Sequence, residues 1–125
     1  MENKRYLLDT NALIALLSGN FHVVSLLNDA EWIGISILNQ LEFLSYKNLS
    51  DRDTTLFLSF IKRIEVVDVA KNNTDLLEYS VKIRQKSKLK LADSVIAATA
   101  IVNNATIVTK DNDFFVVDGL LTVIF

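Results

Sequence analysis

Arg5-Tyr6-Leu7-Leu8-Asp9-Thr10-Asn11-Ala12-Leu13-Ile14-Ala15-Leu16-Leu17 joins two apolar runs through three residues that favour helix caps. It reads as strand, cap, helix. Gly19-Asn20 stops that helix, and Phe21 to Leu27 forms a second, with Phe21, Val24 and Leu26 or Leu27 on one face. Trp32-Ile33-Gly34-Ile35 is a compact second strand. Ser36 offers an N-cap to a helix through Leu38, Leu41 and Leu44 to near Lys47, and Ser50 or Asp51 caps another through Phe57 and Ile61. Ile64 to Val69, rich in β-branched residues, predicts a third strand. Long helices follow near Asn73–Ser87 and Leu91–Val102, and Asn103-Asn104 leads into a fourth strand at Ala105–Val108. Val116-Val117 predicts a weak extended element, Asp118-Gly119 a turn, and Leu120–Ile124 a last strand. Continuous apolar strands separated by helices call for an α/β fold, a mostly parallel sheet of about five strands covered on both faces.

Composition narrows the chemistry. The 125 residues fit one domain, 1–125, with a single core, and half of them are hydrophobic. Cysteine is absent and His22 is the only histidine, which excludes disulfides, thiolate sites and histidine-rich metal clusters. No apolar run is long enough to span a bilayer and no cleavable leader pattern opens the chain, so a soluble, cytoplasmic protein is expected. A net charge of −2 does not by itself advertise a nucleic-acid binder.

The carboxylates give the pattern meaning. In an open parallel sheet, ligands bind beyond the carboxyl ends of the strands. Asp9 ends strand one, and Asp111 follows strand four through Thr109-Lys110. Glu42 lies well into the helix that leaves strand two. Asp93 opens the helix that must run back to feed strand four, so it returns to the same edge. Taken singly, each has an ordinary role. Asp9 can cap its helix, Glu42 with Asn39 and Ser45 can form a solvated face, Asp93 can complement a helix dipole, and Asp111 or Asp113 can stabilise a turn. Brought together, they would repel unless protonated or bound to a cation, and hard Mg2+ or Mn2+ prefers such oxygen ligands. The chemistry expected of such a site is metal-assisted phosphodiester hydrolysis.

Four segments in order, Tyr6–Asn11, Ile35–Glu42, Leu91–Ala100 and Ala105–Phe114, resemble the PIN-domain nucleases, and among them the small VapC-type toxins of prokaryotic toxin-antitoxin modules. The resemblance spans essentially the whole chain. It implies a three-layer α/β/α fold, Mg2+- or Mn2+-dependent endoribonuclease activity, and usually a homodimer neutralised by an antitoxin. It matches Asp9, Glu42, Asp93 and Asp111 to the family's acidic catalytic and metal positions, with Asp113 competing for the fourth. Asp9 and Asp93 are expected to be the firmest ligands, with Glu42 acting through a water or on the nucleophile. Thr109 matches a supporting hydroxyl. Asn11 falls in the first motif, either orienting Asp9 or simply starting a helix.

Lys82, Arg84, Lys86, Lys88 and Lys90 precede Asp93 closely, so a basic segment feeds the acidic edge. Lys86, Lys88 and Lys90 are candidates for RNA phosphates, although lysines at a helix end also answer its dipole. Phe21, Val24, Leu27, Phe57, Phe60 and Ile61 are more apolar than two short helices need for one core; core packing is their default role, and any surplus would serve a dimer or an antitoxin helix. Two rivals differ in class: a PIN domain kept as a non-catalytic binding module, and a receiver-like phosphoacceptor. The second fits less well, because the early acids are Glu2 and Asp9 rather than an adjacent pair, and no lysine follows the fifth strand.

Overall fold

The computed structural model describes residues 4–125, so Glu2 lies outside the described residues. Its elements run β1 (Arg5–Leu8), α1 (Thr10–Leu17), α2 (Phe21–Leu27), β2 (Trp32–Ser36), α3 (Ile37–Leu44), α4 (Asp51–Ile61), β3 (Glu65–Val67), α5 (Thr74–Lys86), α6 (Leu91–Val102), β4 (Thr106–Thr109), a 3-10 turn (Asn112–Val116) and β5 (Thr122–Ile124). All strand pairs are parallel, in the order β3-β2-β1-β4-β5. That order is not the 2-1-3-4-5 of receiver-like folds, which removes the phosphoacceptor rival.

Alternation in the central strands builds two cores. Leu7 and Ile107 pair across β1 and β4 and face one side, with Leu76, Ile83, Ile96, Ala97 and Phe114. Leu8 and Val108 face the other, with Leu13, Val23, Ile35, Phe43 and Phe57. The sheet is thus the middle of three layers, with α5 and α6 on one face and α1, α2 and α4 on the other.

Local chemistry sets several boundaries away from those expected. α3 ends at Leu44 rather than near Lys47, because the Ser45 backbone N–H bonds back to Glu42 and its hydroxyl donates to the Leu41 carbonyl at 2.6 Å. Val116-Val117 does not form a strand. Asp111 caps a 3-10 turn there through the Asp113 N–H, and burial of Phe114 anchors that turn in the core. β3 and β5 are each three residues long, shorter than their β-branched runs. Of the surplus apolar residues, Leu27 and Phe57 are core and Phe60 and Ile61 pack against it. Only Phe21 and Val24 remain exposed.

Candidate active site

The strand order reverses at β1: the chain builds outward through β2 and β3, then crosses back to place β4 on the other side of β1. Ligands bind at such switch points. Asp9 stands there, just past β1, its N–H continuing the ladder to the Val108 carbonyl at 3.0 Å. It caps α1, with Oδ1 accepting from the Thr10 N–H at 2.8 Å. Oδ2 accepts from the Thr109 hydroxyl at 2.9 Å, and that hydroxyl accepts from the Asp111 N–H at 3.0 Å. The expected helix cap and the expected site residue are therefore one and the same side chain.

Asn39, fully buried in α3, completes the setting. Its Oδ1 accepts from the Ser36 N–H at 3.1 Å, and its Nδ2 lies 3.2 Å from the Thr10 hydroxyl and 3.4 Å from Asp9 Oδ1. Its importance is not evident from composition, since beside Glu42 it looks like a solvated-face residue. The available signal was spacing: Ser36 and Asn39 stand at the positions of a capping box. Asn11, by contrast, is exposed, and the described hydrogen bonds to Asp9 come from Thr10, Thr109 and Asn39.

Electrostatics tie the acids into one group. Burial raises the Asp9 pKa; its hydrogen bonds from Thr109 and Thr10 pull it back, and the charges of Glu42 and Asp111 raise it again. The Asp93 pKa is raised by burial, then by Asp9, Asp111 and Glu42, with Lys90 opposing. Burial, Glu42 and Asp9 likewise raise the Tyr46 phenol just beyond α3. Asp9 thus feels the charges of Glu42 and Asp111, and Asp93 those of Asp9, Asp111 and Glu42. Asp113 is exposed and borders a different hollow with Lys86, Ser87 and Lys88.

Among the described residues, no three acids or histidines stand close enough to hold an ion as their side chains are placed. Glu42 is exposed and Asp93 half-buried, so both have freedom to turn toward Asp9. The donor set itself fits a hard cation: all oxygen, mutually repelling, with one carboxylate fixed by buried donors.

Fold and site together define an α/β domain with a buried, hydrogen-bonded aspartate at its topological switch point. Residues 6–120 match the PIN domain family, and the chain belongs to it. Among solved structures, it is similar to a toxin-antitoxin complex from Klebsiella pneumoniae, at 28% identity over 94% of this chain and 96% of that one, with a TM-score of 0.76. It also superposes on DNA-bound VapBC from Salmonella typhimurium at 22% identity, over 96% and 97% of the two chains with a TM-score of 0.80. VapBC2 from Rickettsia felis, bound to a promoter DNA fragment, gives 24% identity, coverage of 96% and 98%, and a TM-score of 0.75. Comparison with curated proteins finds no match.

Proposed function

We propose that this protein is a Mg2+- or Mn2+-dependent endoribonuclease, the toxin of a type II toxin-antitoxin module. The observation that carries the reading is that Asp9, at the switch point of a PIN fold, is held by Thr10, Thr109 and Asn39, and that the Thr109 hydroxyl ties it to the Asp111 backbone. Asp9 and Asp93 would hold the cation, with Asp111 beside them and Glu42 orienting a water. The bound ion would polarise a phosphoryl oxygen and lower the pKa of that water. Thr109 and Asn39 keep Asp9 in place, and the exposed lysines Lys86, Lys88 and Lys90 offer charge to the incoming phosphates. A cytoplasmic location goes with an RNA substrate; no single helix among the described residues is long and apolar enough to cross a membrane.

Partners follow from the same reading. The similar Klebsiella chain belongs to a toxin-antitoxin complex, and this chain has a hollow of about 360 Å³ where apolar Ile14, Leu17 and Leu49 meet polar Lys47, Asn48 and Asp53, suited to an amphipathic antitoxin segment. Leu41, Leu77, Val81 and Leu91 are exposed on α3, α5 and α6, and a second copy covering them would make a homodimer. Light scattering at micromolar concentration distinguishes dimer from monomer.

The activity is tested by incubating the protein with structured RNAs and Mg2+ or Mn2+. Cleavage is expected, with loss on EDTA treatment and in Asp9→Asn. Cleavage indifferent to both overturns the reading. RNA binding without cleavage would favour the non-catalytic module.

A further inference from the structure

We propose that Asn39 is a positioning residue that locks the helix carrying Glu42 onto Asp9 and so sets the geometry of the cation site; this rests on the metal reading above. Asn39 has no exposed surface, and both ends of its amide are used. The Ser36 N–H can only donate, so the amide oxygen must face it and the NH2 group must face Asp9 and Thr10. Capping α3 requires only the oxygen. The donor end is surplus to the cap and is directed at a carboxylate across the sheet edge.

Its place in the helix gives the contact a consequence. Glu42 follows Asn39 by three residues, so the two side chains lie on one face of α3, Asn39 in the interior and Glu42 a turn nearer solvent. Fixing the Asn39 amide against Asp9 and Thr10 fixes the rotation of α3 about its axis. That sets where the Glu42 backbone stands relative to Asp9, and from there its exposed side chain can turn toward the site. One buried amide thus joins the β1–α1 corner to α3, which supply two of the four acids.

The control is the other half of the capping box. Ser36 Oγ accepts from the Leu38 N–H at 3.1 Å and makes no described contact with Asp9, so Ser36→Ala weakens the cap and leaves the Asp9 contact in place. Mn2+ binding is measured by titration well below the melting temperature on wild type, Ser36→Ala and Asn39→Ala, with circular dichroism confirming the fold. Asn39→Ala is expected to raise the Mn2+ Kd about tenfold or more, as loss of residues that orient metal ligands does, and Ser36→Ala to change it less than about twofold. Should Asn39→Ala fail to fold, Asn39→Ser is used, which keeps a polar atom in the pocket but is too short to bridge Ser36 and Asp9 as the amide does. Equal effects of the two substitutions, or an unchanged Kd in the Asn39 variant, overturn the positioning role while leaving the metal reading intact. Wild type that binds no Mn2+ overturns both.

Discussion

The Thr109 hydroxyl donates to Asp9 Oδ2 at 2.9 Å while accepting from the Asp111 N–H at 3.0 Å, joining residues a hundred positions apart. One oxygen connects two candidate ligands from neighbouring strands at the switch point. Thr109→Val keeps the shape and removes that link, leaving a buried carboxylate oxygen without its donor. The loss is expected to cost about 1–3 kcal/mol, read as a lower urea midpoint in EDTA. An unchanged midpoint would show that Asp9 does not depend on the hydroxyl.

Asp9 and Asp93 both have folded-state pKa values raised above the ordinary 3.8, mainly by burial. Their native forms hold protons more tightly than the unfolded chain does. The stability this contributes is complete below the unfolded value and is lost as pH rises through the folded one. In EDTA, the difference in unfolding free energy between wild type and Asp9→Asn should therefore shift against wild type as pH rises from about 4 to 7. Mn2+ should offset that shift at the upper end, because it binds the ionised form. A pH-independent difference would contradict a raised Asp9 pKa.

Gly34 lies in β2 two residues from Trp32, on the same side of the strand, and a Cβ there would collide with the indole ring. Arg5 stacks on that ring, 4.8 Å from its centroid. Gly34→Ala must displace the indole, at a cost of about 1–3 kcal/mol typical of overpacking. Trp32 is the only tryptophan, so its emission reports the displacement directly. A spectrum and melting temperature identical to wild type would refute the collision.

How legible each feature is in the sequence follows from how locally it is determined. Leu7-Leu8 before Asp9, and Ile107-Val108 before Thr109, are buried on both faces, so their apolar runs alone mark central strands. Caps at Asp9 and Ser36 are readable because they use the side chain at the helix start. The role of Asn39 is not, because its partners Asp9 and Thr10 lie about thirty residues upstream and only folding brings them near. The turn at Asn112–Val116 departs from the expected extended element for a related reason: the burial of Phe114 outweighs the strand preference of Val116-Val117. The surplus apolar residues of α2 and α4 divide according to which side of each short helix meets the sheet, a matter of tertiary packing.

Lys88 and Lys90 are exposed just before α6, and Lys90 lowers the proton affinity of Asp93. Positive charge from this segment therefore reaches the acidic edge. Reversing both to glutamate should weaken RNA binding and reduce the salt slope of log K by about 0.7 for each single-strand phosphate no longer neutralised. Titration of a cleavage-inactive Asp9→Asn background at several salt concentrations measures it. An unchanged slope would remove these lysines from the RNA path.

Asp111 and Asp113 compete for the fourth acidic position, and their surroundings differ. Asp111 is half-buried, its N–H is tied to Thr109, and its charge raises both Asp9 and Asp93. Asp113 is exposed and faces the hollow beside Lys86 and Lys88. One oxygen of Asp111 is already engaged, since Oδ1 accepts from the Asp113 N–H at 2.8 Å, which leaves Oδ2 for the site. Asp111→Asn retains an oxygen able to cap the turn and removes the charge, so the fold should persist while Mn2+ affinity and RNA cleavage fall. Asp113→Asn should preserve both, because its backbone N–H, rather than its carboxylate, holds the turn. The reverse pattern, with activity lost only in Asp113→Asn, would assign the fourth position to Asp113 and would require the turn to rearrange when substrate binds.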